Sequence, residues 1–214
     1  MIISPTHNLI FIAIPKTGST SVENAFSRIL PEGEVFSGWG DYLPKDEQLK
    51  HLMAMQVRER LGDHEFRSFH RFAVIRNPYS LAVSWYTYLK GVTDFYLGQG
   101  VPVNHPWNDI SATPSFEKFI LETNKWITVQ SRYIFDPDGK CLLNRLLRQE
   151  HLDQDLALMA SELGIQGLAL DRDNKSLFGA GRGYESFYTS STVQRAVATA
   201  LAEDFVRLGF NVEL

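Results

Sequence analysis

The residues best suited to chemistry stand in two short stretches. The first, Phe11 to Ser21, reads F-I-A-I-P-K-T-G-S-T-S: an apolar run reaches Pro15, Lys16 follows, and a Gly-Ser-Thr turn opens a helical pattern. The first N–H groups of a helix have no intrahelical acceptor and the helix dipole favours negative charge there, so such a junction can cradle phosphate or sulfate. Gly18 lets the backbone approach the anion, and Lys16 adds a point charge. The second stretch, Phe72 to Pro78, is another apolar run that ends in Arg76. In a parallel sheet both loops lie at the carboxyl ends of strands, where ligands bind in open α/β folds. Lys16 and Arg76 could therefore face one ligand with two anionic centres. The lysine precedes its glycine, so the loop is not the G-x-x-x-x-G-K-[ST] of nucleotide hydrolases.

Each stretch needs a strand, a turn and a helix to hold it. Leu9 to Ile14 is a continuous apolar run, as expected for a strand covered on both faces, and Val22, Ala25, Phe26, Ile29 and Leu30 then recur at helical spacing until Pro31. Phe72 to Ile75 is the second strand; Asn77 suits a helix N-cap and Pro78 the first helical position, and Leu81, Trp85, Tyr88 and Leu89 share one helix face. Gln48 to Leu61 is compatible with a helix ending at Gly62, and a short helix carries Phe116, Phe119 and Ile120 inward. Leu152 to Leu163 and a single terminal helix, Val193 to Leu208 with Gly209 as its cap, complete the helices. Residues 31–44, 90–114 and 171–184 read as loops, and Asp136-Pro137-Asp138-Gly139 as a tight turn without the other ligands of a calcium loop. Two strand-loop-helix units followed by further helices predict an α/β fold, one domain over residues 1–214, with a central parallel sheet flanked by helices.

Composition narrows the classes. With 44% apolar and 21% charged residues the chain is that of an ordinary globular protein. A net charge of -4 and a pI near 5.9 argue against a nucleic-acid binder. No apolar run approaches the length of a membrane span, and the first residues lack the pattern of a signal peptide, so the expectation is a soluble cytoplasmic protein. Cys141 is the single cysteine and cannot form an intrachain disulfide; its apolar neighbours suggest a buried thiol. No histidine pair has the H-E-x-x-H spacing of a zinc site. Oligomeric state is not legible.

Pro15-Lys16-Thr17-Gly18-Ser19-Thr20-Ser21 resembles the 5′-phosphosulfate loop of sulfotransferases that use 3′-phosphoadenosine 5′-phosphosulfate (PAPS). Phe72-Ala73-Val74-Ile75-Arg76-Asn77-Pro78, with Val83-Ser84-Trp85-Tyr86 behind it, resembles their 3′-phosphate motif, and the two occur in the family's order. The likeness is greatest to the carbohydrate sulfotransferase branch of Golgi-type enzymes and their bacterial relatives, with weaker counterparts at Trp126 to Tyr133, Asp138-Gly139, Glu150 to Leu156 and Asp204 to Phe210. One departure is Leu81, where many relatives carry arginine. The resemblance implies a P-loop-like sulfotransferase fold, PAPS as sulfuryl donor with no metal required, and a carbohydrate or glycolipid acceptor. It also implies that Lys16 steadies the leaving oxygen, that residues 16–21 hold the 5′ end of the donor, and that Arg76 and Ser84 grip the 3′-phosphate. Lys175, Ser176 and Arg182 fall in a late glycine-rich loop that closes over the nucleotide in relatives.

The acceptor hydroxyl needs a base, and a histidine titrating near neutrality suits that work. His51 lies between the two phosphate motifs, where the related 2-O-sulfotransferases keep a catalytic histidine. His64, His70 and His105 are alternatives, as are Glu23 and Glu47 if the base is a carboxylate, while His7 and His151 read as surface or satisfied core groups. Two other classes compete: a nonenzymatic nucleotide-binding module derived from a sulfotransferase, and a P-loop kinase. The acceptor pocket is expected from Val35 to Leu49 and Gly91 to Pro114, which carry no readable code.

Overall fold

Leu9, Ile10, Phe11 and Ile12 are all fully buried, the state a strand reaches only when both faces are covered. They form β2 (Leu9–Ile12), and Ala13 and Ile14 extend the buried run to the mouth of the lysine loop. The computed structural model describes residues 1–34, 49–100, 115–123, 127–171 and 183–214. These divide between two compact units, Met1–Arg76 with Gln130–Asn174, and Asn77–Val129 with Lys175–Leu214.

The first unit is built on a four-stranded mixed sheet in the order β1 (Ile2–Ser4), β2, β3 (His70–Ile75) and β4 (Arg145–Arg148). β2, β3 and β4 are parallel, with Phe11 opposite Phe72 and Val74 opposite Leu147. The expected parallel core is therefore present, and β1 adds an antiparallel edge strand to it, with Ile3 opposite Ile10. The Phe11 and Phe72 rings stack at 4.9 Å, and Phe26 reaches Phe72 from α1 (Ser19–Ser27) at 6.1 Å. α2 (Ala54–Leu61) ends at Gly62, as predicted, but begins later than expected, since residues 49–53 are not helical. A further helix, α3 (Asp63–Ser68), follows at once and leads into the amino end of β3.

In the second unit α4 (Pro78–Gly98) starts where expected: the Asn77 side chain accepts hydrogen bonds from the backbone N–H groups of Tyr79 at 2.9 Å and Ser80 at 3.4 Å. It then runs past Lys90 into the stretch expected to be loop. Leu89 and Thr93 are buried and Lys90 pairs with Asp94 at 3.1 Å, which together outweigh the cost of about 1 kcal/mol for a glycine inside a helix. α4 packs with α5 (Phe116–Thr123), whose Phe116, Phe119 and Ile120 point inward as predicted. The terminal helix is two helices, α8 (Ser191–Ala200) and α9 (Ala202–Leu208), because the chain leaves helical geometry at Leu201. Val197, Leu201 and Phe205 remain in one core across the break, and Gly209 closes α9 at φ 66°.

In the first unit, α6 (Ser131–Ile134) precedes the Asp136 to Gly139 turn, in which Gly139 N–H donates to Asp136 O at 2.9 Å and Lys140 N–H to the Asp136 carboxylate at 2.8 Å. Cys141 departs from expectation. Leu142 and Leu143 are buried, but Cys141 lies on the return arm of the turn, bridged to Phe135, and is exposed. A 3₁₀ turn, Gln149–His151, links β4 to α7 (Leu152–Glu162), which packs on β4 and ends before Gly164 at φ 68°. Of the stretches read as loops, residues 35–44, 101–114 and 172–182 lie outside the described residues, as does Trp126. Among the described residues no helix is long and apolar enough to cross a membrane.

Candidate active site

The strand-end loop of β2 departs from ordinary backbone at two positions. Lys16 has φ 65° and Gly18 φ 95°, both left-handed; glycine adopts this freely, whereas a lysine pays a steric penalty. Thr17 is fully buried between them and its hydroxyl donates to Ile14 O at 3.0 Å. That hydroxyl holds the loop shut, so Thr17 presents an anion with backbone only. α1 begins at Ser19, with no side-chain cap on its N-terminus and no acidic residue in its first turn. Ser21 and Val22 N–H both donate to Gly18 O, and Thr20 is exposed. A methyl group at Gly18 would lie 3.4 Å from Leu152 Cδ2 and 3.6 Å from Gln149 Cγ, so the turn that follows β4 and the start of the next helix back the loop closely.

Arg76 follows β3 directly and is tied to this loop: its Nη1 donates to Lys16 O at 3.2 Å. The structure thus brings together the two cations that the sequence placed at adjacent strand ends. Lys16 is largely withdrawn from water, and this burial, reinforced by the charges of Arg76 and Lys50, lowers its pKa to about 8. Burial also lowers Arg76, against an opposing pull from Glu150. Two largely buried cations thus converge on one loop beside a helix start, an arrangement that suits an oxyanion.

Gln130, fully buried at the start of α6, holds Arg76 from the other side. Its Oε1 accepts from Arg76 N–H at 2.8 Å and its Nε2 donates to Arg76 O at 2.8 Å. Sequence reading passed over this residue, because an uncharged glutamine 54 positions from its partner gives no local signal.

His51 is half-buried, and its Nδ1 lies 2.7 Å from Ala13 O, at the root of the loop. A carbonyl only accepts, so Nδ1 carries the hydrogen and Nε2 of the neutral ring is the acceptor. Burial lowers the His51 pKa below its usual value, and the Lys50 charge adds to this. Lys50 itself, also missed in the sequence, pairs at 3.0 Å with Glu23, which is fully buried in α1 and also meets the Met1 α-ammonium. Glu23 is therefore an interior ion-pair anchor rather than a carboxylate poised over a ligand.

The other candidates are placed elsewhere. His70 is the first residue of β3, at the amino end of the sheet away from the loops, and exposed His64 lies on α3 before it. His151 is exposed in the 3₁₀ turn, and His7 sits in the turn before β2. Ser84 belongs to the second unit, half-buried on α4, two turns along the same helix face as Asn77. Glu47, His105, Lys175, Ser176 and Arg182 lie outside the described residues. Among the described residues no group of three or more His, Cys, Asp or Glu side chains is placed to hold a metal ion.

A family model described as "Sulfotransferase family" matches residues 1–207, which span both units. No curated protein and no solved structure is significantly similar to the chain.

Proposed function

Because the chain belongs to the sulfotransferase family, we propose that it moves a sulfuryl group from PAPS to a hydroxyl of a carbohydrate or glycolipid acceptor. Residues 1–214 act in this reading as one functional domain. The observation that supports it is the linked cation pair, Lys16 and Arg76, beside an uncapped helix N-terminus. PAPS supplies an activated sulfuryl group whose departure leaves negative charge on the oxygen bridging to the 5′-phosphate.

Protonated Lys16 stabilises that charge, with Ser19, Thr20, Ser21 and the first N–H groups of α1 binding the surrounding oxygens. Thr17 and Gly18 contribute backbone. Arg76 binds the 3′-phosphate; Ser84, Lys175 and Arg182 keep the nucleotide-binding roles implied by the resemblance. His51 holds its hydrogen on Nδ1 against Ala13 and takes the acceptor's proton at Nε2. Positioning and electrostatics then carry most of the rate, as in phosphoryl transfer. Cytoplasmic location belongs to this proposal.

Transfer of labelled sulfate from PAPS to a panel of glycans and glycolipids tests the reading. Incorporation into at least one acceptor is expected, together with binding of the desulfated nucleotide, adenosine 3′,5′-bisphosphate. Failure of both overturns it. Tight nucleotide binding without transfer to any acceptor points instead to a binding module, and metal-dependent turnover of ATP to a kinase.

A further inference from the structure

The arginine proposed to hold the 3′-phosphate stands one residue beyond the last ladder pair of β3, where Ile75 is opposite Arg148. Its own N–H and C=O therefore need partners from elsewhere. Gln130 supplies both with a single carboxamide, at 2.8 Å and 2.8 Å, from a side chain with no exposed surface. The carboxamide can take only one orientation, since the Arg76 N–H requires an oxygen and the Arg76 carbonyl an N–H. It acts as a two-bond continuation of the sheet, aimed at one residue.

The guanidinium of Arg76 in turn donates to Lys16 O. A chain of contacts thus runs from Gln130 through the Arg76 backbone to the left-handed Lys16 peptide. We infer that Gln130 is a positioning residue for phosphate recognition: it fixes the Arg76 backbone so that the guanidinium is held ready for the 3′-phosphate of the donor nucleotide. This rests on the functional reading above. Gln130 touches no substrate; it acts through Arg76.

A merely structural glutamine and a positioning glutamine differ in which ligand suffers when it is removed. Two probes separate them: adenosine 3′,5′-bisphosphate, and adenosine 5′-monophosphate, which lacks the 3′-phosphate. Wild-type protein is expected to prefer the bisphosphate. Gln130→Ala, checked for folding by circular dichroism, should weaken bisphosphate binding by about tenfold or more, the scale set by losing a buried hydrogen-bonded clamp. Binding of the monophosphate should stay near its wild-type value. In Arg76→Ala protein the same change should alter the preference no further.

Gln130→Glu gives a second reading with the shape preserved, including the case where Gln130→Ala does not fold. One oxygen still accepts from Arg76 N–H, but once the carboxyl is ionised the other faces the Arg76 carbonyl without a hydrogen, so at a pH above its titration the preference should again fall. Equal loss of both ligands, or an unchanged preference in these variants, overturns the inference and leaves the function standing. A wild-type protein with no preference for the bisphosphate overturns the role of Arg76 itself, and the inference with it.

Discussion

Lys16 carries most of the chemistry assigned to this site, and its environment sets the pH range in which it can act. A lysine that must bear a charge fails once pH rises through its pKa, which burial and the neighbouring cations bring to about 8. His51 must be neutral to accept a proton, and burial lowers its pKa below the ordinary histidine value of 6.5. The free protein is competent between these limits. A plot of kcat/KM against pH should rise through an acid limb below 6.5 and fall through an alkaline limb near 8. Lys16→Arg should remove the alkaline limb while lowering the rate, since guanidinium stays charged but does not replace an ammonium at a single oxygen. An alkaline limb unmoved by that change would assign it to another group. Lys16→Ala should reduce kcat by about 10²- to 10³-fold, the usual loss of one charge-stabilising donor. His51→Ala should cost about 10²-fold or more through loss of the base, and near-normal turnover would remove His51 from the mechanism. A binding signature follows from the same pKa. An anionic ligand raises Lys16 again, so nucleotide binding at a pH near 8 takes up protons, visible as a buffer-dependent heat in calorimetry.

The elements show which parts of this arrangement were readable in advance. The two loops were, because each is bracketed by residues with one structural use: Pro15 and Gly18 around the first, Asn77 and Pro78 at the second. β1 and β4 were not. Ile2–Ser4 is three residues long, and Arg145–Arg148 has two leucines between two arginines, so neither has enough apolar sequence to announce a strand; pairing with β2 and β3 creates them. The extension of α4 through Gly91 depends on burial of Leu89 and Thr93, and the exposure of Cys141 on the direction of a turn; neither is a local property. Of the candidate site, the neighbouring placement of Lys16 and Arg76 was legible through type and spacing, and His51 was singled out through the resemblance, whereas Gln130 and Lys50 bear on it through partners distant in sequence. The left-handed lysine was also invisible beforehand, and it has a measurable cost. Lys16→Gly and Lys16→Ala remove the same charge, so comparing them isolates the backbone. At φ 65° the glycine variant should be the more stable by about 1 kcal/mol in urea unfolding. Equal midpoints would show that the loop bears no strain at Lys16.

For the molecule as a whole, the charge balance opposes the ligand proposed for the site. The chain carries a net charge of -4, so its average field repels a nucleotide with two phosphates. Affinity must then come from short-range contact with the local cations rather than from long-range attraction. The two sources respond differently to salt, because the Debye length falls from about 10 Å at about 0.1 M to about 3 Å at about 1 M and screens distant charges first. Lys16 and Arg76 are largely removed from solvent, where a charge pair in contact keeps much of its strength. Added salt should accordingly weaken binding of adenosine 3′,5′-bisphosphate only moderately, and mainly by competition of salt anions for the cation pair. Arg76→Ala removes one of those charges and should give a shallower dependence of log Kd on log salt than the wild type. Sulfate should compete more strongly than chloride at equal ionic strength, since the cradle is shaped by N–H groups and cations that suit a tetrahedral oxyanion. Titrations in sodium chloride and sodium sulfate, matched in ionic strength, decide the matter. Identical curves in the two salts, or a slope unchanged by Arg76→Ala, would mean that the bisphosphate is held somewhere other than at this cation pair.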